Sequence, residues 1–404
     1  MPRRRFAGFL VLAGLLLAAA AAAPAAGPEQ APAPVFTIHA RLLTDLGYNG
    51  QSQELTSNRR EAVTTAYASL AANSYLRAKF MSPDHSAGGL LELGLGSRLG
   101  DNEAALLRYA YGWFQHGPWR VVAGQDESWV GGLKHAPKQN LGTSQSGKLY
   151  LSDWGFLYSG RHSMVRLEWG QGAWGACLGL VQPMAELTPS ASGGLTTGSA
   201  ALPAGVDLYA DLPRVDLALD LRAGGLWLGP GAGWARYRLE GAGAGEDSIT
   251  TWVAVLPFKL TLGPLTAKGE VHHGQNTDYE WSGDILTGLR GLPRAVAFLA
   301  ADGKLSDTRQ TGGFLTLEWK FAPKWELIGG YGVERLANDA WKDQAGYAQD
   351  SYTRQAFFAA LPCQVTANFT IHPEFGYYDY GDRVQDGKAF GNEWLAGIQF
   401  RWIF

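Results

Sequence analysis

The 404-residue sequence has only two cysteines, Cys177 and Cys363, only four methionines, and little net charge, −3 at neutral pH. Two thiols cannot frame a disulfide scaffold. A charge so near balance gives no electrostatic hold on nucleic acid, so no nucleic-acid partner is expected. The eight histidines form no obvious cluster. His162 and Ser163 adjoin, as do His272 and His273, but neighbours on a strand point to opposite faces. Neither pair reads as a catalytic dyad or a metal pair, and no G-x-S-x-G motif stands out. The expectation is therefore no catalytic residue, no metal, no cofactor and no enzymatic activity. Beyond residue 26 there is also no 18-residue apolar run, which excludes a second helical membrane span.

The one long apolar run is an address. Arg3, Arg4 and Arg5 form a positive start, Phe6 to Ala23 is apolar, and small residues follow from Ala21 to Gly27. This is the pattern of a cleaved export signal, read here as residues 1–26, with 27–404 as the mature domain. Loss of the three arginines takes the formal charge to −6.

What is abundant is glycine, 53 residues, and aromatic side chains, 12%, which together with few helical heptads point to an all-β chain. The sharpest segment is Trp394–Phe404. Its even positions are Trp, Ala, Ile, Phe, Trp and Phe, whereas its odd positions include Gly397, Gln399 and Arg401. Side chains alternate across a strand, so one face is greasy and the other small or polar. Lipid outside and water inside demand this division. The same dyad recurs in Phe36–Leu42, Leu76–Phe80, Leu107–Trp113, Val165–Trp169, Val215–Leu221 and Leu315–Phe321. In the third of these, Leu107, Tyr109, Tyr111 and Trp113 read as the lipid face. The alternation puts Cys177 toward the lumen and Cys363 toward lipid, which argues against a disulfide.

Strands are expected at 35–48, 69–82, 88–97, 104–115, 118–126, 161–170, 174–181, 212–222, 226–239, 249–263, 265–275, 310–321, 324–335, 353–364, 367–379 and 392–404. These sixteen are joined alternately by long connections (49–68, 127–160, 182–211, 276–309, 336–352, 380–391) and by tight turns such as Gly263-Pro264 and Ala322-Pro323. Two of the odd connections, 98–103 and 240–248, are short. The expected fold is a transmembrane antiparallel β-barrel of about sixteen strands, forming one domain. Unpaired backbone groups cannot face hydrocarbon, so the sheet must close, and sixteen strands leave a water-filled interior.

Parity sends Arg41, Arg77, Lys79, Arg108, Arg120 and Arg166 inward as a basic ladder on the early strands, with Glu92 and Glu168 beside them. A charge facing lipid costs a few kcal/mol near the midplane, and inward cations favour anions. The 127–160 connection is long enough to be functional. It is the candidate inward-folded constriction, with Lys134, His135, Lys138, Lys148, Asp126, Glu127 and Asp153 at or near it.

Three segments resemble a known family. Arg108-Tyr109-Ala110-Tyr111, then Trp119-Arg120-Val121-Val122-Ala123-Gly124-Gln125, then Met164-Val165-Arg166-Leu167-Glu168 look like the trimeric Gram-negative porins, in particular the DcaP-like branch. Asp211-Leu212-Pro213 is similar to a mid-barrel segment of that branch, with the order changed, and Ser163-Met164 departs from its usual Pro-Gln. The closing strand, with Phe400, Trp402 and Phe404, resembles the C-terminal signature of outer-membrane barrels and implies recognition by the barrel-assembly machinery. The resemblance implies a homotrimer in the lipid of a Gram-negative outer membrane, a third loop folded into the channel, and passive uptake of small hydrophilic, often anionic, solutes such as small carboxylates. The rival reading is a structural or adhesive barrel with an occluded lumen, its loops 182–211 and 276–309 serving as ligand-binding tips.

Overall fold

The structure is a computed structural model that describes residues 34–53, 62–70, 74–95, 106–138, 151, 154–183, 207–240, 248–281, 294–299, 305–343, 348–383 and 387–404. The proposed signal, residues 1–26, lies outside them, as do Lys148 and Asp153.

Sixteen antiparallel strands follow one another around the sheet. They are β1 (Val35–Gln51), β2 (Val63–Leu70 continued by Tyr75–Met81), β3 (Ala87–Gly94), β4 (Leu106–His116), β5 (Trp119–Glu127), β6 (Arg161–Gln171), β7 (Trp174–Val181) and β8 (Asp207–Ala210 continued by Arg214–Ala223). The second half is β9 (Leu226–Leu228 continued by Gly231–Glu240), β10 (Ser248–Leu262), β11 (Leu265–Gln275), β12 (Arg309–Ala322), β13 (Trp325–Ala337), β14 (Ser351–Ala360 continued by Cys363–Gln364), β15 (Phe369–Asp379) and β16 (Asn392–Ile403). β16 pairs with β1 from Arg41↔Ile403 to Gln51↔Glu393, and this closes the barrel. Closure removes the open edge that hydrocarbon would not tolerate, while Val35–His39 of β1 pairs with β2 alone. Tight turns join the strands at one end. His116↔Trp119 and Leu262↔Leu265 are closing pairs of two-residue hairpins whose Gly117 and Gly263 take φ +56, a conformation that favours glycine.

Burial is inverted relative to a soluble protein. Leu217, Val271 and Trp174 stand 55%, 57% and 64% exposed on the outside, while Glu92, Glu270 and Arg214 are completely buried within. Water would expel such an outer face, whereas lipid accepts it. Near the short-turn end the outward residues include Phe80, Phe114, Trp119, Trp174, Trp319, Phe321 and Trp325, the aromatic girdle expected of a membrane rim. The expected dyads hold in β1, β6, β8, β12 and β16. Both cysteines are free, and Cys177 faces inward.

Two expectations need correction. The second strand begins at Val63, not 69, so the first long connection spans only 52–62. The exposed residues of this stretch are Thr64, Ala66 and Ala68, too small to give the hydropathy alternation that marked the other strands. The second correction concerns β4. A register shift between Glu92 and Leu93 places two β4 residues, Arg108 and Tyr109, around one position of β3. Such a bulge inverts the parity of everything beyond it. Leu107 and Phe114 face out, 48% and 42% exposed, but Tyr109, Tyr111 and Trp113 turn inward rather than toward lipid. Tyr109 donates its hydroxyl to Glu127, Arg161 lies over its ring, and Lys79 and Arg120 lie over Trp113.

Candidate functional site

The lumen has two unlike halves. The half lined by β8 to β15 is occupied by loops. The connection after β5 leaves Glu127, drops along the inside wall and returns at Arg161. Ser128 donates to Asp216 at 2.5 Å, Lys134 pairs with Asp220, and His135 pairs with Glu270. Lys138 reaches Glu318 and Glu326, each at 2.8 Å. Glu326 is the second residue of β13, so the loop descends almost to the short-turn end. Burial pulls the Lys138 ammonium toward neutrality, but the two carboxylates outweigh it and leave its pKa above the ordinary lysine value. On the returning limb Leu157 N–H donates to the other oxygen of Glu270 at 2.6 Å, and Ser159 N–H closes onto Gly131 O at 2.8 Å. Three of the residues expected on a constriction, Lys134, His135 and Lys138, are thus spent on wall carboxylates.

Apolar packing fixes the same loop. Leu151, Trp154, Phe156 and Tyr158 join Phe314, Ile328, Tyr352, Phe358, Tyr378 and Tyr380 in one buried cluster inside the barrel. The loop backbone sits directly on glycines of the wall: a Cβ on Gly332 would lie 1.9 Å from Trp154 O. Part of the 276–308 connection also turns inward. Its Trp281 packs against Val130 and Leu157, and its Glu280 joins Asp216 in holding the fully buried Arg214.

The other half, β1 to β6, carries the basic ladder. All six residues face inward. Glu92 bridges Arg77 (2.7 Å) and Arg108 (2.9 Å). Arg166 pairs with Glu168 (2.6 Å) and Asp126 (2.8 Å), and Glu168 also lies 3.6 Å from Arg120. Arg41 and Arg77 each lie 4.6 Å from the centre of the Tyr75 ring. Lys79 lies over Trp113 and meets no carboxylate within ion-pair distance among the described residues. Among the described residues the wall therefore holds seven Arg and Lys side chains, the six expected ones and Arg161, against five carboxylates, Asp45, Glu92, Asp126, Glu127 and Glu168. The Arg77 and Arg120 side chains remain about a third exposed, 34% and 33%.

Sequence reasoning grouped Asp126 with the constriction loop and not with this wall, and did not single out Tyr75 and Trp113 here, nor the loop's acceptors Asp220, Glu270, Glu318 and Glu326. Parity alone marks Asp220 and Glu318 as inward, but nothing in the sequence pairs them with residues 86 to 180 positions away. Among the described residues no group of His, Cys, Asp or Glu is arranged to hold a metal ion.

No protein-family model matches the sequence, and no curated protein matches it. Solved structures do match in fold. The outer-membrane channel DcaP of Acinetobacter baumannii superposes with a TM-score of 0.67 over 94% of this chain and 100% of its own, at 14% identity. An anion-selective porin from Comamonas acidovorans gives 0.58 over 92% and 100%, at 12% identity. OmpF of Salmonella typhi gives 0.54 over 91% and 97%, at 8% identity. The chain is a closed sixteen-stranded β-barrel with the fold of the Gram-negative outer-membrane porins, DcaP among them.

Proposed function

We propose that the protein is an outer-membrane porin, exported by residues 1–26 and forming a water-filled diffusion channel for small hydrophilic solutes, with a preference for anions. It performs no chemistry on what it passes. The observation that carries this reading is the division of the lumen. The loop after β5 fills one half and neutralises its own cations there, which leaves the path along β1 to β6. Among the described residues that path is bordered by seven cations and five carboxylates. An excess of inward positive charge raises the local concentration of anions. Arg41, Arg77, Lys79, Arg108, Arg120 and Arg166 then act as pore-lining cations, Glu92 and Glu168 as their local counter-charges. Lys134, His135 and Lys138 act as the pins that hold the constriction open on one side.

The porin fold and the apolar outer wall favour assembly as a homotrimer; one solved neighbour, OmpT of Vibrio cholerae, is described in a trimer form. The closing strand with Phe400, Trp402 and Phe404 fits a substrate of the barrel-assembly machinery. The test is a reversal potential across a planar bilayer in a potassium chloride gradient. Chloride selectivity supports the reading, and cation selectivity overturns the anion preference.

One observation favours a second reading, a barrel whose lumen is occluded. The buried cluster around Trp154 makes a dry core inside the barrel, and dry cores do not conduct. Absence of single-channel current from inserted protein would establish it and overturn the porin.

A further inference from the structure

Trp113 stands where a tryptophan gains least from the membrane. Trp119 and Trp174 lie outside at the rim, half or more exposed to lipid, where an amphipathic ring is stabilised. Trp113 is turned into the lumen by the bulge at Arg108 and Tyr109. There its indole lies flat on the neighbouring strand. A Cβ on Gly88, which pairs with it, would stand 2.3 Å from its Cζ2, so only glycine permits the ring to lie down. The residue is half-buried, not sealed. Two cations lie over it, Arg120 at 5.0 Å and Lys79 at 5.7 Å from the ring centre. Lys79 meets no carboxylate among the described residues, and Arg120 has only the distant contact to Glu168 at 3.6 Å. A similar unit lies further up the same wall: Tyr75 between Arg41 and Arg77, four residues from Lys79 along β2, or about 13 Å.

A π surface with two cations over it suits one class of solute. An aliphatic carboxylate uses the cations alone. A benzoate-like anion uses the cations with its carboxylate and the indole with its ring, since aromatic pairs gain beyond their buried area. We propose that Trp113, laid over Gly88 with Lys79 and Arg120 over its ring, is a subsite near the short-turn mouth of the pore for planar aromatic carboxylates. The proposal rests on the pore reading above and adds the class of solute the channel distinguishes.

The experiment uses the full-length purified protein in planar bilayers with potassium chloride as the current carrier. Benzoate or cyclohexanecarboxylate, equal in charge and similar in size, is added on the short-turn side, and the concentration that halves the chloride current is read. Stacking predicts that benzoate blocks at a concentration about threefold to tenfold lower. In Trp113→Leu the ratio falls to about one. In Gly88→Ala, which leaves the tryptophan in place but denies it the strand surface, the ratio also falls. Lys79→Met raises both half-blocking concentrations together and keeps the ratio. A wild-type ratio near one, or a ratio unchanged in both Trp113→Leu and Gly88→Ala, overturns the subsite: the indole then serves only to hold the cations. A silent bilayer overturns the pore reading instead, and the subsite with it.

Discussion

Glu92 is the most informative single position on the basic wall. It is fully buried, and its two oxygens serve Arg77 and Arg108. Glu92→Gln keeps the size and one acceptor but removes the charge, so the described wall then holds seven cations against four carboxylates. An ion passing about 5 Å from an added unit charge in a water-like medium feels ~0.8 kcal/mol, which screening at 0.1 M salt reduces to ~0.5 kcal/mol. That is about a twofold gain for chloride and about a twofold loss for potassium, hence about fivefold in their permeability ratio. The cost falls on folding. Two guanidinium groups lose a shared partner, and breaking a buried pair costs ~3–5 kcal/mol as an upper limit, less here because Arg77 is partly wet. The assay is the reversal potential of the variant beside the wild type at 0.1 M and 1 M salt. The shift toward chloride should shrink at 1 M, where screening is stronger. A shift toward potassium, or an equal shift at both salts, refutes the electrostatic reasoning.

Three further outcomes follow from the loop and the outer wall. Glu270→Ala removes the acceptor of Leu157 N–H and the partner of His135. An orphaned buried amide costs ~1–3 kcal/mol, so hydrogen exchange at Leu157 should quicken about tenfold or more; unchanged protection would show the loop is held by its apolar cluster alone. The Lys138 anchor is a cation with a raised pKa, so its contribution is complete below the unfolded lysine value and is lost only as pH rises through the higher folded value. Open-channel noise should therefore stay level from neutral pH to about pH 10 and rise above it, whereas Lys138→Met should be noisy throughout; a rise already at pH 8 would contradict the anchor. Leu317→Arg sets a charge on the lipid face, where Leu317 is 48% exposed, and should cost ~2–4 kcal/mol in urea unfolding from lipid vesicles. A cost under ~0.5 kcal/mol, normal for a water-facing surface site, would contradict the membrane assignment.

The barrel was legible because lipid and water impose a period-two code that survives without any partner sequence. Trp394–Phe404 and Arg214–Leu221 show it outright. The code fails where the outward residues are small, as in Thr64, Ala66 and Ala68, and where the backbone changes register. Nothing in Leu107–Trp113 announces that Arg108 and Tyr109 both face inward, yet that single bulge moves three aromatic rings from lipid to lumen. The basic ladder was legible by the same parity, but its carboxylate partners were only half visible: Glu92 and Glu168 were, whereas Asp126 read as part of the loop. The loop's anchoring was illegible for a different reason. His135 and Glu270 are far apart in the chain, and only the closed sheet brings β11 opposite the end of β5. Lys134, His135 and Lys138 read as pore charges until their acceptors are known.

The central claim is that solutes pass along the β1 to β6 wall. It is tested most directly by chemical accessibility during conduction. In a background of Cys177→Ser and Cys363→Ser, Lys79→Cys and Leu219→Cys are compared, the first facing the lumen and the second facing lipid, 45% exposed. A small anionic thiol reagent added to open single channels should lower the chloride current stepwise in the Lys79→Cys protein and leave the Leu219→Cys protein unchanged. Current that is indifferent to modification at position 79 would mean the ions travel elsewhere, and the account would be wrong.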